Sequence, residues 1–221
     1  MATVTRRDVL RAGLAGGAAL ALGPLDLDPS AVVARALAAT PAGCGRLRDI
    51  EHIVIFVQEN RSMDSYFGTY RGVHGFGDPK GVFAQPGYPR EGYGGRLYPF
   101  HLDTNKNGEC TNDITHDWGP MHGAWNGGAM DGFVKEHMKA EGTDQGAVTM
   151  GYYRRSDLPF YYALADAFSL CDGYHCSVLG PTDPNRLMSM SASLDPAGKH
   201  GGPLLETLVA KRAASLGTFT W

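Results

Sequence analysis

The amino-acid sequence predicts an α/β protein, and two segments lead to this prediction. Residues 53–57 read Ile-Val-Ile-Phe-Val, all β-branched except Phe56, and polar residues follow them abruptly. An uninterrupted apolar run of this kind is typical of a parallel strand that is buried on both faces. Residues 159–168 have the pattern of a helix with Pro159 in its first turn, and residues 169–171 begin a second strand-like piece.

Length and composition describe an ordinary globular protein. The chain has 221 residues, which is enough for one domain with a genuine core. Hydrophobic residues make up 43% of the chain, charged residues make up 19%, and the formal net charge is −3. The sequence contains no basic stripe, so nucleic-acid binding is not predicted.

The N-terminus has the features of an export signal. Arg6 and Arg7 form a twin-arginine pattern, and a weakly apolar, Gly/Ala-rich run follows over residues 12–25. That run is shorter than the roughly 20 residues that a transmembrane helix needs. We therefore predict a twin-arginine signal peptide over residues 1–39, the Tat machinery as a partner, and an extracellular or cell-wall location. An amphipathic helix with two chance arginines is the alternative.

A carboxylate and an amide follow the first predicted strand at its carboxyl end. In open α/β sheets, ligands bind at this end of the strands because the loops there form a crevice. Glu59 and Asn60 carry hard oxygen donors that suit a divalent cation. The alternative is a solvated turn with a helix N-cap, and the short Glu-Asn-Arg motif alone favours that alternative.

Residues 50–68 as a whole closely resemble the opening motif of a bacterial phosphoesterase family, which contains Tat-exported phospholipases C and a related acid phosphatase. Those proteins begin their catalytic domain with a hydrophobic strand, Glu-Asn-Arg-Ser, an aromatic-rich turn and Tyr-Phe-Gly. Residues 49–52 and 171–176 make the resemblance closest to the actinobacterial phospholipases C. The resemblance implies a three-layer α/β/α sandwich similar to alkaline phosphatases and sulfatases, and a metal site formed partly by Glu59 and Asn60.

The next part of the chain is expected to be largely irregular. Residues 62–67 predict a short helical turn that ends at Gly68. Residues 69–115 are rich in Gly, Pro and Tyr, which predicts a long excursion that includes a hairpin. A loop of this length usually serves a site or is mobile.

Residues 112–133 concentrate polar and aromatic side chains, including two histidines and two tryptophans. One interpretation is a helix-turn-helix packing unit in which Trp118, His122 and Trp125 are core residues. The same run resembles the phospholipase C segment with His-x-Trp followed by His-x-Ala-Trp-Asn-Gly-Gly, in which the first histidine lies in the active site. The resemblance makes His116 the candidate for contacting the phosphate or the leaving oxygen.

A second site segment spans residues 180–186. Thr182 precedes Asp183-Pro184, so its hydroxyl is locally expected to be an ordinary helix N-cap. A hydroxyl at a helix N-terminus also faces unpaired N–H groups and the positive end of the helix dipole, which together favour a phosphoryl anion. The segment resembles the family motif Gly-x-Thr-x-Pro-Asn-Arg, and this implies that Thr182 is the catalytic nucleophile and a third metal ligand.

The four cysteines form an even set in an oxidising destination, so disulfides are expected. Three pairings are open to four cysteines. Cys171 and Cys176 are close enough in sequence to form a small loop, which leaves Cys44 to pair with Cys110. The spacings lack the C-x2-C form that structural zinc sites use.

Together these motifs imply an exported phospholipase C that uses a divalent metal ion and hydrolyses phosphatidylcholine, at a membrane surface, through a phospho-threonine intermediate. Trp118, Trp125 or Tyr153 is a candidate for a cation–π cage around choline. The alternatives are an acid phosphatase that acts on small monoesters and a secreted binding protein of the same fold without catalysis. In the resembling proteins the remaining acidic metal ligands lie beyond the residue that matches Trp221. We therefore expect residues 40–221 to be the N-terminal part of a truncated catalytic domain, inactive alone.

Replacing both Arg6 and Arg7 by Lys is expected to leave the precursor in the cytoplasm, because the Tat receptor reads the arginine pair as an address and not as charge. Cell fractionation measures the effect. Secretion of the double variant at the normal level would contradict the prediction.

Overall fold

The computed structural model describes residues 28–38 and 46–207. Within these residues the chain forms two compact units, one made of residues 28–38, 46–52 and 159–168 and the other of residues 53–158 and 169–207. The predicted signal sequence falls mostly on residues 1–27, which lie outside the described residues. None of the described helices has the length and apolar character needed to cross a membrane.

The described residues combine α-helices with small sheets, as expected of the α/β class. The α-helices are α1 (Pro29–Ala38), α2 (Met63–Phe67), α3 (Trp118–Trp125), α4 (Phe133–Glu141), α5 (Thr143–Gly146), α6 (Pro159–Ala167) and α7 (Thr182–Ser191). The strands are β1 (Gln85–Pro86), β2 (Arg96–Leu97), β3 (Phe100–His101) and β4 (Gly151–Tyr152), and short 3-10 turns cover Leu47–Asp49, Thr104–Lys106, Asn126–Gly128 and Ala147–Met150.

The first unit is built on two helices. Helix α6 occupies the segment where the sequence predicts a helix, which confirms that prediction. Helix α1 packs against α6, and Val33 is buried. Tyr162 and Ala163 supply the buried part of α6.

The second unit contains two small sheets and a compact core. Strands β1 and β2 pair antiparallel, with Gln85 opposite Leu97, so the predicted hairpin within residues 69–115 is confirmed. Strands β3 and β4 pair in parallel, with Phe100 opposite Gly151. Buried apolar side chains hold these parts together, namely Tyr88, Leu97, Val134 and Ala147, with Phe100, Met138 and Met150 packed against them.

In the second unit α3 packs on α4 and α4 packs on α5. The interpretation of Trp118, His122 and Trp125 as core residues is wrong, because none of the three is buried. Trp118 stacks on His122 with ring centroids 4.1 Å apart, while Trp125 stays partly exposed. The contact between α4 and α5 needs a glycine, because a Cβ on Gly146 would lie 2.3 Å from the backbone nitrogen of Met138. The loop that carries His116 therefore leads directly into a packed group of helices.

The predicted strand over residues 53–57 is wrong for this structure. No strand covers these residues, and Ile53, Val54 and Phe56 are 80%, 89% and 82% exposed. A parallel strand needs neighbours that complete its hydrogen bonds and helices that cover its faces. Within the described residues neither is found along this segment, so Glu59 does not lie at the edge of a sheet.

The second predicted strand is also wrong, since residues 169–171 have no strand in the structure. The predicted Cys171–Cys176 disulfide is not formed, because both thiols are free and exposed. Cys110 is also free and exposed, and Cys44 lies outside the described residues. Closeness in sequence therefore does not produce a disulfide in this loop.

A buried carboxylate ties several parts of the second unit together. Asp157 is only 1% exposed at its side chain, and His101 Nε2 donates to it at 2.7 Å. The backbone nitrogen of Arg154 donates at 2.7 Å, and both the backbone nitrogen and the hydroxyl of Thr104 donate at 3.1 Å. Burial opposes ionisation, but these hydrogen bonds outweigh it and lower the pKa of Asp157 to about 2.

Replacing Asp157 by Asn is expected to lower the free energy of unfolding by about 2 kcal/mol at pH 7. Because the pKa of Asp157 is lower in the folded than in the unfolded chain, its stabilisation is present above about pH 4 and is lost as the pH falls toward 2. Urea unfolding at pH 7 and at pH 3 measures the difference between the variant and the wild type. That difference should shrink at pH 3.

Asp103→Asn is the matched control, because Asp103 forms its ion pair with the exposed Lys106. The control should change the free energy of unfolding by less than about 1 kcal/mol. An Asp157→Asn effect no larger than that of the control would contradict the prediction.

Candidate functional site

Glu59 and Thr182 meet in the second unit although 123 residues separate them in sequence. The hydroxyl of Thr182 donates to Glu59 Oε2 at 3.0 Å. The carboxylate is partly exposed, with 34% of its side-chain surface accessible. A predicted metal ligand and the predicted nucleophile therefore share one open position.

Thr182 is the first residue of helix α7, and Pro181 occupies the N-cap position without a side-chain cap. The expectation that the Thr182 hydroxyl caps the helix is therefore wrong. Pro184 is the third residue of α7, where its missing N–H removes one of the unpaired donors that a helix N-terminus leaves. Because no backbone amide among the described residues uses the Thr182 hydroxyl as a cap, this oxygen stands at the positive end of the helix and donates to Glu59.

Arg186 lies one helical turn after Thr182 and binds the other oxygen of the same carboxylate. Arg186 Nε donates to Glu59 Oε1 at 2.8 Å, and one terminal nitrogen of the guanidinium donates to the same oxygen. The hydrogen bond from Arg186, followed by that from Thr182, lowers the pKa of Glu59. Glu59 is therefore a carboxylate at neutral pH, and it is a weak base.

Asn60 and Arg61 connect the same segment to a different part of the chain. Asn60 Nδ2 donates to Asp113 Oδ1 at 3.1 Å, and Asn60 adopts a left-handed φ of 61° that asparagine tolerates well. Arg61 donates to the backbone oxygen of Asn60 at 2.7 Å and to Thr111 Oγ1 at 2.8 Å. The amide of Asn60 thus lies beside Asp113, whereas Glu59 contacts helix α7.

His116 lies in the loop before α3. Its Nδ1 is 3.1 Å from the backbone oxygen of Ile114. A carbonyl only accepts, so Nδ1 carries the proton and Nε2 is free to accept one in the neutral ring. The charged form of the imidazole would lower the pKa of Glu59, although less than Arg186 and Thr182 do, so His116 lies within Coulombic range of that carboxylate.

Asn185 holds the loop that leads to Thr182. Its Nδ2 donates to the backbone oxygens of Val178, Gly180 and Pro181 at 3.0, 3.2 and 3.0 Å, and its Oδ1 accepts the N–H of Val178 at 3.0 Å. An amide supplies both donors and an acceptor at this position, whereas a carboxylate would repel the carbonyls. Asn185 therefore determines how the chain enters helix α7.

A cavity of about 230 Å³ adjoins the site. Asn60 and His116 lie in its wall together with Arg61 and Asp113. Much of the remaining lining is apolar and comes from Leu102, Ile114, Met121, Phe133 and Val148. Asn60 and His116 thus face a common space, whereas Glu59 and Thr182 do not line this cavity.

The donor set partly fits a divalent cation. Glu59 Oε2 and Thr182 Oγ1 are hard oxygens 3.0 Å apart, which is a separation that two ligands of one cation can have. Asn60 bonds to Asp113 rather than to either of these residues. Among the described residues no group of three or more His, Cys, Asp or Glu side chains converges as a metal site.

Sequence reasoning missed the roles of Asp113, Asn185 and Arg186. The motif Pro-Asn-Arg contains Asn185 and Arg186, but a motif does not say which atoms its side chains contact.

The choline cage receives no support at Tyr153, which is buried, contacts Tyr66 edge-on and donates to the backbone oxygen of Gly108 at 3.1 Å. Trp118 and Trp125 lie on the same helix with His122 between them.

Comparison with known proteins assigns most of the chain to a family. The model of the Phosphoesterase family matches residues 50–220, a range that includes every predicted site residue. The chain belongs to this family. The match begins just before the exposed apolar run and continues past α7, so the two segments that meet at the Glu59–Thr182 contact both lie within it.

The relatives of this phosphoesterase family member include several phospholipases C. Phospholipase C A of Mycobacterium tuberculosis is 43% identical over 99% of this chain and 42% of its own length. Non-hemolytic phospholipase C of Burkholderia pseudomallei is 45% identical over 93% of this chain and 29% of its own length. Phospholipase C B of M. tuberculosis is 46% identical over 79% and 35%. The chain therefore spans less than half the length of these curated relatives.

Replacing Asn185 by Asp is expected to lower the free energy of unfolding by about 1 to 3 kcal/mol, because the new carboxylate cannot donate to the three carbonyls and is repelled by them. Urea unfolding measures the effect. The same change at Asn107, which is exposed and has a left-handed φ of 60°, is the control and should change stability little. Equal effects of the two changes would show that Asn185 does not hold the loop.

Proposed function

We propose that this phosphoesterase family member is the N-terminal part of an exported phospholipase C that hydrolyses phosphatidylcholine to diacylglycerol and phosphocholine. The observation that carries the proposal is the Thr182 hydroxyl at the N-terminus of α7, bound to the carboxylate of Glu59. A phosphoryl group beside this hydroxyl would face the unpaired N–H groups of the first turn. The names of the mycobacterial and Burkholderia relatives support this choice of reaction.

In the proposed reaction Thr182 Oγ1 loses its proton to solvent and attacks phosphorus, which forms a phospho-threonine that still carries choline. The bond between phosphorus and the diacylglycerol oxygen breaks, and that oxygen takes up a proton. Water then attacks the same phosphorus, which releases phosphocholine and restores the hydroxyl. Glu59 accepts the hydrogen bond of Thr182 and so aims its oxygen. Because the pKa of Glu59 is lowered, this carboxylate orients the hydroxyl and is a poor acceptor of its proton.

A divalent cation, when bound, would supply the missing activation by stabilising the threonine alkoxide and the charge on the phosphoryl oxygens. Glu59 and Thr182 are the residues of this chain that would hold it, with Asn60 as the third ligand. Arg186 would hold Glu59 Oε1, so that Oε2 stays directed toward Thr182.

His116 would act on the leaving oxygen. Because its Nδ1 proton is engaged by the backbone oxygen of Ile114, Nε2 is the atom that can carry a proton to that oxygen. The apolar part of the cavity beside His116 would then border the phosphate substituent. This role is supported by the electrostatic effect of His116 on the pKa of Glu59, which shows that the two side chains are near each other.

The whole catalytic domain would be a three-layer α/β/α sandwich. Residues 1–39 would be a Tat signal peptide and residues 40–221 would belong to the domain. The protein would act outside the cytoplasm on the surface of a phospholipid membrane.

An acid phosphatase that acts on small monoesters is the second candidate. The residues that would activate Thr182 and contact phosphate are the same for both reactions, so only the substituent on phosphorus distinguishes them. A cavity of about 230 Å³ with a largely apolar wall favours a substrate that carries more than a bare phosphate.

Thr182→Ala in the full-length protein is expected to lower kcat on phosphatidylcholine by about 1,000-fold or more, because the attacking oxygen is removed. Thr182→Ser should keep measurable activity, because it retains the hydroxyl. Release of phosphocholine measures both variants, and p-nitrophenyl phosphate is assayed in parallel.

Thr143→Ala is the matched control, since Thr143 is also the first residue of a helix and takes no part in the site. Activity on p-nitrophenyl phosphate alone would favour the acid phosphatase. No hydrolysis of either substrate by the wild type would favour the binding protein, and full activity of Thr182→Ala would remove Thr182 as the nucleophile.

A further inference from the structure

A carboxylate on helix α4 supports the loop that carries His116. Glu141 Oε1 accepts the backbone N–H of Thr115 at 2.6 Å, and Thr115 immediately precedes His116. The two residues are 26 positions apart in sequence, so this hydrogen bond joins the loop to a packed helix. Glu141 is the last residue of α4, and its side chain is 15% exposed.

His137 lies one turn earlier on α4 and faces the same carboxylate. Its Nδ1 is 3.3 Å from Glu141 Oε2, and its side chain is only 4% exposed. Within the described residues neither of these two atoms has a hydrogen-bond partner, although both are buried. His137 also lies in the wall of the cavity that His116 borders.

Two carboxylates, Glu141 and Glu136, act on the pKa of His137. Burial lowers the pKa of His137, while Glu141 and, more weakly, Glu136 oppose this effect. On the elements packed against α4, His122 stacks on Trp118 and Asp144 pairs with Arg90. His137 is therefore a neutral ring at pH 7, and Glu141 is the nearest charge that acts on it.

The position of the His116 imidazole depends on the backbone that bears it. Its ring forms a hydrogen bond with the backbone oxygen of Ile114, two residues earlier in the same loop. The hydroxyl of Thr115 also bonds within the loop, to the backbone nitrogen of Asp117 at 3.4 Å. The chain itself enters α3 at Asp117, and the Glu141–Thr115 bond adds a side-chain attachment of the loop to α4.

We propose that Glu141 is a positioning residue for His116, and that it acts by accepting the Thr115 N–H while its second oxygen lies 3.3 Å from the buried Nδ1 of His137. The inference rests on the proposed function, in which His116 contacts the leaving oxygen. A shift of about 1 Å in a catalytic group costs about 100-fold in rate, so a helix-anchored acceptor at this point matters for turnover. Substrate binding depends on other residues, so KM is less affected.

The test compares Glu141→Ala with Glu141→Gln in the full-length protein. Alanine removes the acceptor, so kcat on phosphatidylcholine should fall about 10- to 100-fold with KM changed less than about threefold. Glutamine keeps an acceptor oxygen of the same reach and should restore kcat to within about threefold of the wild type. Glu136→Ala, which changes a carboxylate on the same helix, is the matched control and should leave kcat unchanged.

Nitrogen-15 NMR of histidine-labelled protein supplies a readout that does not need catalysis. The His116 signals, assigned with His116→Gln, should move in Glu141→Ala and stay in place in Glu136→Ala. If Glu141→Ala does not fold, Glu141→Asp replaces it, because the shorter side chain keeps the charge but withdraws the acceptor; its kcat should fall in the same way.

Unchanged kcat and unchanged His116 signals in the variant that removes or withdraws the acceptor would overturn the proposal. Equal losses in the alanine and glutamine variants would also overturn it, because charge and not the acceptor would then matter. If the wild type hydrolyses no phosphoester but the His116 signals still move in Glu141→Ala, the proposed function fails while the positioning role stands.

Discussion

The candidate site depends on the hydrogen bonds that the carboxylate of Glu59 accepts. One oxygen accepts the hydroxyl of Thr182, and the other binds the guanidinium of Arg186. Because Thr182 and Arg186 lie one turn apart on α7, both donors reach the same carboxylate only when the N-terminus of that helix points at Glu59. A single carboxylate thus joins the proposed nucleophile to Arg186, and the hydrogen bonds from these two residues lower the pKa of Glu59.

Side-chain hydrogen bonds, and not a sheet, hold the described site together. The segment after Glu59 is joined to the 111–113 loop through Asn60 and Arg61, and the entry to α7 is held by Asn185. Such contacts are directional, so each one determines both a distance and an orientation. Several of them join exposed residues, which suits a site that must admit a substrate but makes each bond individually modest in energy.

The parts of the fold that could be predicted are those that local sequence controls. Ser62 caps α2 by accepting the N–H of Ser65 at 3.1 Å, and the helix over residues 159–167 follows its proline and its apolar pattern. The prediction of a strand at residues 53–57 is wrong because a strand needs neighbouring strands for its hydrogen bonds, and the sequence of one segment does not show whether those neighbours are present. Asp157 lies two residues before Pro159, where an acidic residue is a typical helix-start signal, but its carboxylate binds His101 and Thr104, more than 50 residues earlier.

By itself the sequence determined the family, the helices at residues 63–67 and 159–167 and the residue types of the candidate site, because motif spacing and capping are local properties. Only the tertiary structure decided which atoms meet: the Thr182 hydroxyl turns to Glu59 instead of capping its helix, and Asn60 turns to Asp113. Glu141 gained its place behind His116 in the same way. The physical reason is that a polar side chain bonds to whichever donor or acceptor the packed backbone brings within about 3 Å, and sequence spacing does not encode that choice.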